Sequence, residues 1–183
     1  MRTLLFVLLA GVGLLAPACG DGGDRLERTG IDAVDAIIAA ALSGDARALE
    51  EMVRYSSIPC EAPPRSLGGP PECEPGEAPG TRVDVLPVAQ CEGYFLRGDQ
   101  VGEPLRTLVS SEPSLYAVFR APDSWERGEY AVVFSVQGPE QLIFGQELVI
   151  EDGRLVLVKF GCAQTAAQLV ESAGDVEFVL PPS

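Results

Sequence analysis

Asp152-Gly153 falls between two apolar-rich runs, residues 142–150 and 155–160. A two-residue Asp-Gly connection is the signature of a type I′ hairpin, because both central positions need positive φ. It predicts a pair of antiparallel strands and commits the late part of the chain to a sheet. Upstream, Tyr130, Val132, Phe134 and Val136 alternate along a further strand, and residues 115–120 form another. Pro122-Asp123 and Gly128 bracket the connection that carries Trp125, the only tryptophan, and Gly138-Pro139 turns the chain. A helix near 165–171 and a last strand at 176–180 complete this half.

If the turn is Asp152-Gly153 and the ladder runs without a break, the register follows. Ile150 then faces Leu155, Leu148 faces Leu157 and Gln146 faces Lys159. On the opposite face Val149 meets Val156, Glu147 meets Val158 and Gly145 meets Phe160, an aromatic that can cover a strand glycine. Glu147 is the odd residue on that face. A carboxylate among valines has a raised pKa or needs a partner, and such groups mark functional sites more often than chance. Glu147, with Phe160, Tyr130 and Trp125, is therefore the candidate pocket. The structural alternative is a sheet-edge position at which Glu147 reaches water or pairs with an arginine. Lys159, the only lysine, reads as a rim residue.

The first half is helical at its start. Thr29-Gly30-Ile31-Asp32 resembles a capping box with Asp in the place of Glu. Ile31, Val34, Ile37, Ile38, Ala41 and Leu42 then recur at helical spacing. Ser43-Gly44-Asp45 ends this helix and caps a second, with Leu49, Met52 and Val53 on one face. Both apolar stripes are read as core contacts. Residues 57–90 hold most of the prolines and many glycines and are expected to form a loop, with 83–86 a short strand. Residues 94–96 are a brief apolar run. Asp99 is expected to cap a helix bearing Val101, Leu105, Leu108 and Val109, which Pro104 would disturb if it lay beyond the first turn.

The N-terminus is read as an address. Arg2 precedes an uncharged, mostly apolar run of 13 residues, 3–15, too short to span a bilayer comfortably. Ala16-Pro17-Ala18 has the small-x-small pattern of a signal cleavage site, and Cys19 follows, then the polar tether Gly20-Asp21-Gly22-Gly23-Asp24. The segment Leu15-Ala16-Pro17-Ala18-Cys19 resembles the lipobox of bacterial lipoproteins. That resemblance implies cleavage before Cys19, diacylation of its sulfur with palmitate-class chains, and a protein anchored to a membrane outside the cytoplasm. Plain secretion is the alternative. Two acyl chains anchor stably where one is marginal. The expected organisation is a signal peptide over 1–18, a lipidated Cys19 with a flexible tether over 19–29, and a single domain over 30–183.

The chain has five cysteines: Cys19, Cys60, Cys73, Cys91 and Cys162. Assigning Cys19 to lipid leaves four, the even number expected of two disulfides in an exported chain. Three connectivities exist; Cys60–Cys73 with Cys91–Cys162 is favoured, the first closing the short Pro/Gly loop and the second tying the middle of the chain to the end of a late strand. On the chain-entropy account these contribute roughly 3 and 4 kcal/mol. A zinc site is disfavoured, because Cys60, Cys73 and Cys91 are not closely paired and the chain has no histidine. Glu61, Glu72, Glu74 and Glu77 match no calcium-loop spacing and read as solvated acids. No metal or cofactor is assigned.

Composition narrows the function classes. The 183 residues carry a net charge of -14, and without Arg2 the body has 12 basic against 27 acidic side chains, net -15. This disfavours nucleic acid, which needs a basic patch, and leaves membrane attachment to the lipid. The absence of histidine excludes histidine-dependent triads and pH switches. No G-x-S-x-G, S-x-x-K, P-loop or dinucleotide glycine motif occurs in the mature part.

Helices first, then a run of antiparallel strands ending in an Asp-Gly hairpin, resemble in element order the nuclear transport factor 2-like fold. The resemblance implies an α+β domain with N-terminal helices packed on a curved, cone-like antiparallel sheet around a pocket, here with a disulfide-stapled Pro/Gly-rich loop added. A cystatin-like sandwich is the runner-up. Catalytic members of the family often use aspartate–histidine pairs, so the expected role is non-catalytic binding of a small ligand or an envelope protein. The alternatives are a carboxylate-dependent hydrolase or isomerase around Glu147, and a module that presents the stapled loop 60–73 to a partner.

Overall fold

The computed structural model describes residues 28–63, 68–89, 93–138, 140, 142–160 and 162–183. The expected signal peptide over 1–18, Cys19, most of the expected tether and Cys91 lie outside these residues. Helices α1 (Asp32–Leu42) and α2 (Ala46–Glu51) come first, then strands β1 (Ser56–Pro59), β2 (Arg82–Ala89) and β3 (Tyr94–Arg97). A 3₁₀ turn leads into α3 (Gly102–Ser110), followed by β4 (Ser114–Arg120), β5 (Tyr130–Gln137), β6 (Ile143–Glu151) and β7 (Arg154–Phe160). The chain closes with α4 (Ala166–Ser172) and β8 (Phe178–Leu180). The fold is α+β, and its strands form one sheet in the order β1-β2-β7-β6-β5-β4-β8, with β3 paired to β2. All pairings are antiparallel except β2 with β7.

The early helices begin and end where local chemistry directs. Asp45 caps α2, accepting the Ala48 N–H at 3.0 Å. The expected Thr29/Asp32 box is replaced by a wider clasp, because the cap position falls on Ile31. The Thr29 hydroxyl and N–H donate to Asp35 at 2.7 and 2.8 Å, and Ile31 N–H donates to the Thr29 hydroxyl at 3.0 Å. Pro104 is third in α3, within the first turn, where its missing N–H costs nothing.

Sheet alternation sorts the side chains onto two faces. On the first, Val118, Val132, Phe134, Leu148, Ile150, Leu155 and Val158 pack with Val34, Ile37, Ile38, Leu49, Leu105 and Leu108 of α1–α3 in the main core. On the second, Ala117, Phe119, Ala131 and Val133 pack under Ala166, Leu169 and Val170 of α4. Because β5 and β6 are covered on both sides, they are buried almost without interruption. Gly145 lets α4 approach: a Cβ there would sit 2.6 Å from Leu169 Cδ1 and 2.7 Å from the Ala166 nitrogen.

Two expectations need correction. The Pro/Gly-rich segment is not loop throughout, since β1 and β2 occupy its ends and β2 sits inside the sheet. Proline is compatible with this because Pro87 lies where the ladder is open, as described below. The second correction concerns register. The turn is as expected, with Asp152 and Gly153 at φ 49° and 70° and Glu151 opposite Arg154. Ile150 faces Leu155, but the next pair is Val149 with Leu157, so Val156 is an extra residue on β7. This β-bulge shifts every later pair by one. Leu148 meets Val158, Glu147 meets Lys159 and Gln146 meets Phe160.

Candidate functional site

The bulge sets the chemistry of the second face by placing the only lysine opposite the only fully buried charged side chain among the described residues. Glu147 has 0% exposure, flanked by Val133 on β5 and Lys159 on β7. Lys159 Nζ lies 3.5 Å from Glu147 Oε2. Neither carboxylate oxygen accepts a well-formed hydrogen bond among the described residues, so the pair is held by charge. Burial pushes the Glu147 carboxyl up from its ordinary value, and the Lys159 charge pulls it partly back.

The connection between β4 and β5, residues 121–129, folds over this pair. It is pinned by Glu129 N–H to the Ile150 carbonyl at 2.7 Å and Ala121 N–H to the Glu129 carbonyl at 3.0 Å. Its backbone crosses β6 at Gly128, φ +106°, where a Cβ would lie 2.4 Å from Val149 Cγ1. Only glycine satisfies both the backbone angle and the contact. Trp125 then meets Phe119 of β4 edge-on, with ring centres 6.1 Å apart, and carries Lys159 Nζ 5.6 Å from its ring centre. The indole thus bridges the strands between them and shields the ion pair, with a cation–π contact of about 0.5–1 kcal/mol or more.

A second cover lies at the other end of this face. Cys60 and Cys73 form a disulfide, which packs with Val83, Val85, Ile58 and Phe95. Arg97 holds the stapled segment to β3: Nη1 and Nη2 donate to the two Glu77 carboxylate oxygens at 3.0 and 2.7 Å, and Nη2 also donates to the Glu72 carbonyl at 2.8 Å. Hydrogen bonding from Arg97 holds the Glu77 carboxyl below its ordinary value. Glu74 lies 3.3 Å from Arg97 Nε, so these acids serve an internal cation. The Cys60, Cys73 and Glu77 ligand atoms lie within 4.8 Å of one another, but the bonded sulfurs offer no thiolate. Cys162 is also disulfide-bonded; its expected partner Cys91 lies outside the described residues.

Between the two covers the sheet forks. The residue before β1, Val53, bridges Leu155 of β7, whereas β1 itself pairs with β2 as far as Val85. β2 joins β7 only at Val88 and Ala89. Leu86 and Pro87 therefore have no ladder partner on that side, which is where a residue without an N–H is tolerated. Arg127 fills the fork, its Nη1 donating to Ser56 Oγ at 2.8 Å and to the Val156 carbonyl at 3.4 Å. Above the fork opens a groove of about 640 Å³. Ile58, Pro87, Phe95 and Leu157 form its apolar part, Trp125 one wall, and Arg127 its cation. The volume falls within the range of small-molecule sites.

The four pocket residues expected from sequence do not converge. Trp125 and Glu147 share the second face, while Tyr130 and Phe160 pack against the main core on the first. The reason is the bulge for Phe160 and strand alternation for Tyr130, which faces Ile150. Arg120 stacks on Tyr130 instead, 5.4 Å from its ring centre. Trp125 lines the groove, and Glu147 is sealed behind it. The sequence reading missed Arg127, Leu157 and Ser56; a lone tryptophan beside an arginine in a polar connection was the available signal.

No protein-family model matches the chain, and no curated protein matches it.

Proposed function

We propose that this chain is a lipid-anchored protein outside the cytoplasm whose body binds a ligand, without bond-making, in the groove between the two covers. The observation that carries the binding reading is the groove itself: both ends of the second face are closed, by α4 with Trp125 and by the disulfide segment, and an apolar gap is left over the fork. The walls are tied down by the backbone hydrogen bonds of the 121–129 connection and by the disulfide, which reduces the order to be gained on binding. The anchoring reading rests on the leader and Cys19, and the disulfide between Cys60 and Cys73 supports an oxidising compartment. A hydrolase built on Glu147 is the weaker reading. Retaining and inverting glycosidases need two acids facing a reachable space, about 5–9 Å apart, whereas Glu147 is closed to solvent and faces an ammonium.

Trp125, as the only tryptophan, makes the groove its own reporter. A small-molecule screen followed by tryptophan emission is expected to give a saturable ligand that Leu157→Glu abolishes with unchanged circular dichroism. A screen with no saturable ligand, or one whose ligand survives Leu157→Glu, refutes the groove. Mass spectrometry of the native mature chain is expected to show a diacylated N-terminus at Cys19; an unprocessed, water-soluble Met1 form refutes the anchor.

A further inference from the structure

The guanidinium in the groove is half used. Arg127 spends Nη1 on the fork, holding Ser56 Oγ and the Val156 carbonyl. A guanidinium has five N–H donors, and Nε and Nη2 make no hydrogen bond or ion pair among the described residues. Those two nitrogens form one edge of the planar group, the pair of parallel donors that takes both oxygens of a carboxylate. Other arginines also lack a carboxylate, Arg82 bonding to Ser57 and Arg154 to the Glu51 carbonyl, but neither lines the groove, and several are matched. Arg97 grips Glu77, Arg54 faces Glu151 and Asp152, and Arg120 faces Glu177. With 27 acidic side chains against 13 basic ones, a cation without a carboxylate beside an apolar gap is the exception. Its fixed Nη1 also means that the free edge needs little further ordering to bind.

We propose that the groove takes a small aliphatic monocarboxylate, its chain on Ile58, Pro87, Phe95 and Leu157 and its carboxylate on the Nε/Nη2 edge of Arg127. This rests on the groove reading above and specifies its ligand class. Glu126 also lines the groove, and its carboxylate repels an anion in proportion to its charge, so a monoanion is favoured over a dianion. Lys159, stacked behind Trp125, is committed to Glu147 and does not compete for the ligand.

The test titrates the full mature domain with decanoate, 1-decanol and acetate, read by Trp125 emission and by calorimetry. A bidentate charge-assisted contact predicts decanoate binding about tenfold or more tighter than decanol, with acetate too weak to measure. Arg127→Gln is expected to bring decanoate affinity down to that of decanol, with both measured on the variant. If Arg127→Gln opens the fork and fails to fold, the wild-type comparison of decanoate with decanol still decides. Equal binding of the two by the wild type overturns the carboxylate assignment and leaves the groove standing. Binding of acetate as tight as decanoate overturns it from the other side, by removing the apolar chain from recognition. No binding of either ten-carbon probe overturns the ligand class, and the open screen with Leu157→Glu then decides the groove separately.

Discussion

Replacing Lys159 with methionine leaves Glu147 buried without its counter-charge, and the cost can be worked from the geometry. At the 3.5 Å separation, two unit charges interact by about 5 kcal/mol with an effective dielectric near 20. The variant can escape part of this by keeping Glu147 protonated. Holding neutral at pH 7 a carboxyl that ionises near 4.5 in the unfolded chain costs about 3.4 kcal/mol. Breaking a buried pair by removing one partner typically costs about 3–5 kcal/mol, so Lys159→Met is expected to lose about 3 kcal/mol at pH 7. The sign of the pH dependence is fixed by burial, which raises the folded-state value. In the window above the unfolded value the folded state holds the extra proton, so stability falls as pH rises. The deficit of Lys159→Met therefore shrinks on acidification, as protonation of Glu147 removes the unpaired charge, and leaves the lost stacking on Trp125. The double variant Glu147→Leu/Lys159→Met is expected to return to within about 1 kcal/mol of wild type or to exceed it, because apolar replacement of a buried pair is often neutral or better. Urea unfolding at pH 5 and pH 7, followed by circular dichroism, measures all three. A Lys159→Met deficit below about 1 kcal/mol at both values, the size of an exposed pair, refutes the reasoning. So does a double variant as unstable as the single one.

Cys73→Ser opens the loop closed by Cys60, 13 residues away, and is expected to cost about 3 kcal/mol in urea unfolding; an unchanged midpoint would show that Arg97 and Glu77 alone hold the segment. Gly145→Ala drives a methyl to 2.7 Å from the Ala166 nitrogen. It should cost about 1–3 kcal/mol as α4 is pushed off β6, and an undiminished urea midpoint would show that α4 tolerates displacement.

The parts of the fold that were legible rest on local chemistry. Alternating apolar residues placed β5, apolar runs placed β4, β6 and β7, the 3.6-residue stripe placed α1 and α2, and Asp152-Gly153 placed the turn. Asp45 was read as a cap because a cap needs only its own backbone neighbours, and it accepts the Ala48 N–H three residues on; Thr165 accepts the Gln168 N–H in the same way. β2 was largely hidden, because prolines and glycines surround it and its parallel partner β7 lies some seventy positions downstream. The oddness of Glu147 was visible, and its partner was not.

That partner turns on one residue. A strand repeats every two residues, so a single bulge exchanges the faces of everything beyond it. The run Leu155-Val156-Leu157-Val158 is apolar at every position and reads equally well in either phase. Sequence alone therefore determined that a hairpin forms here and that an acid and the only lysine stand on its two strands. Tertiary structure decided that they meet. The sheet must part at the fork, where Arg127 takes the Val156 carbonyl, and α4 with Trp125 must cover the second face. Those contacts come from distant segments, and their free energy selects the phase that local patterning leaves undetermined.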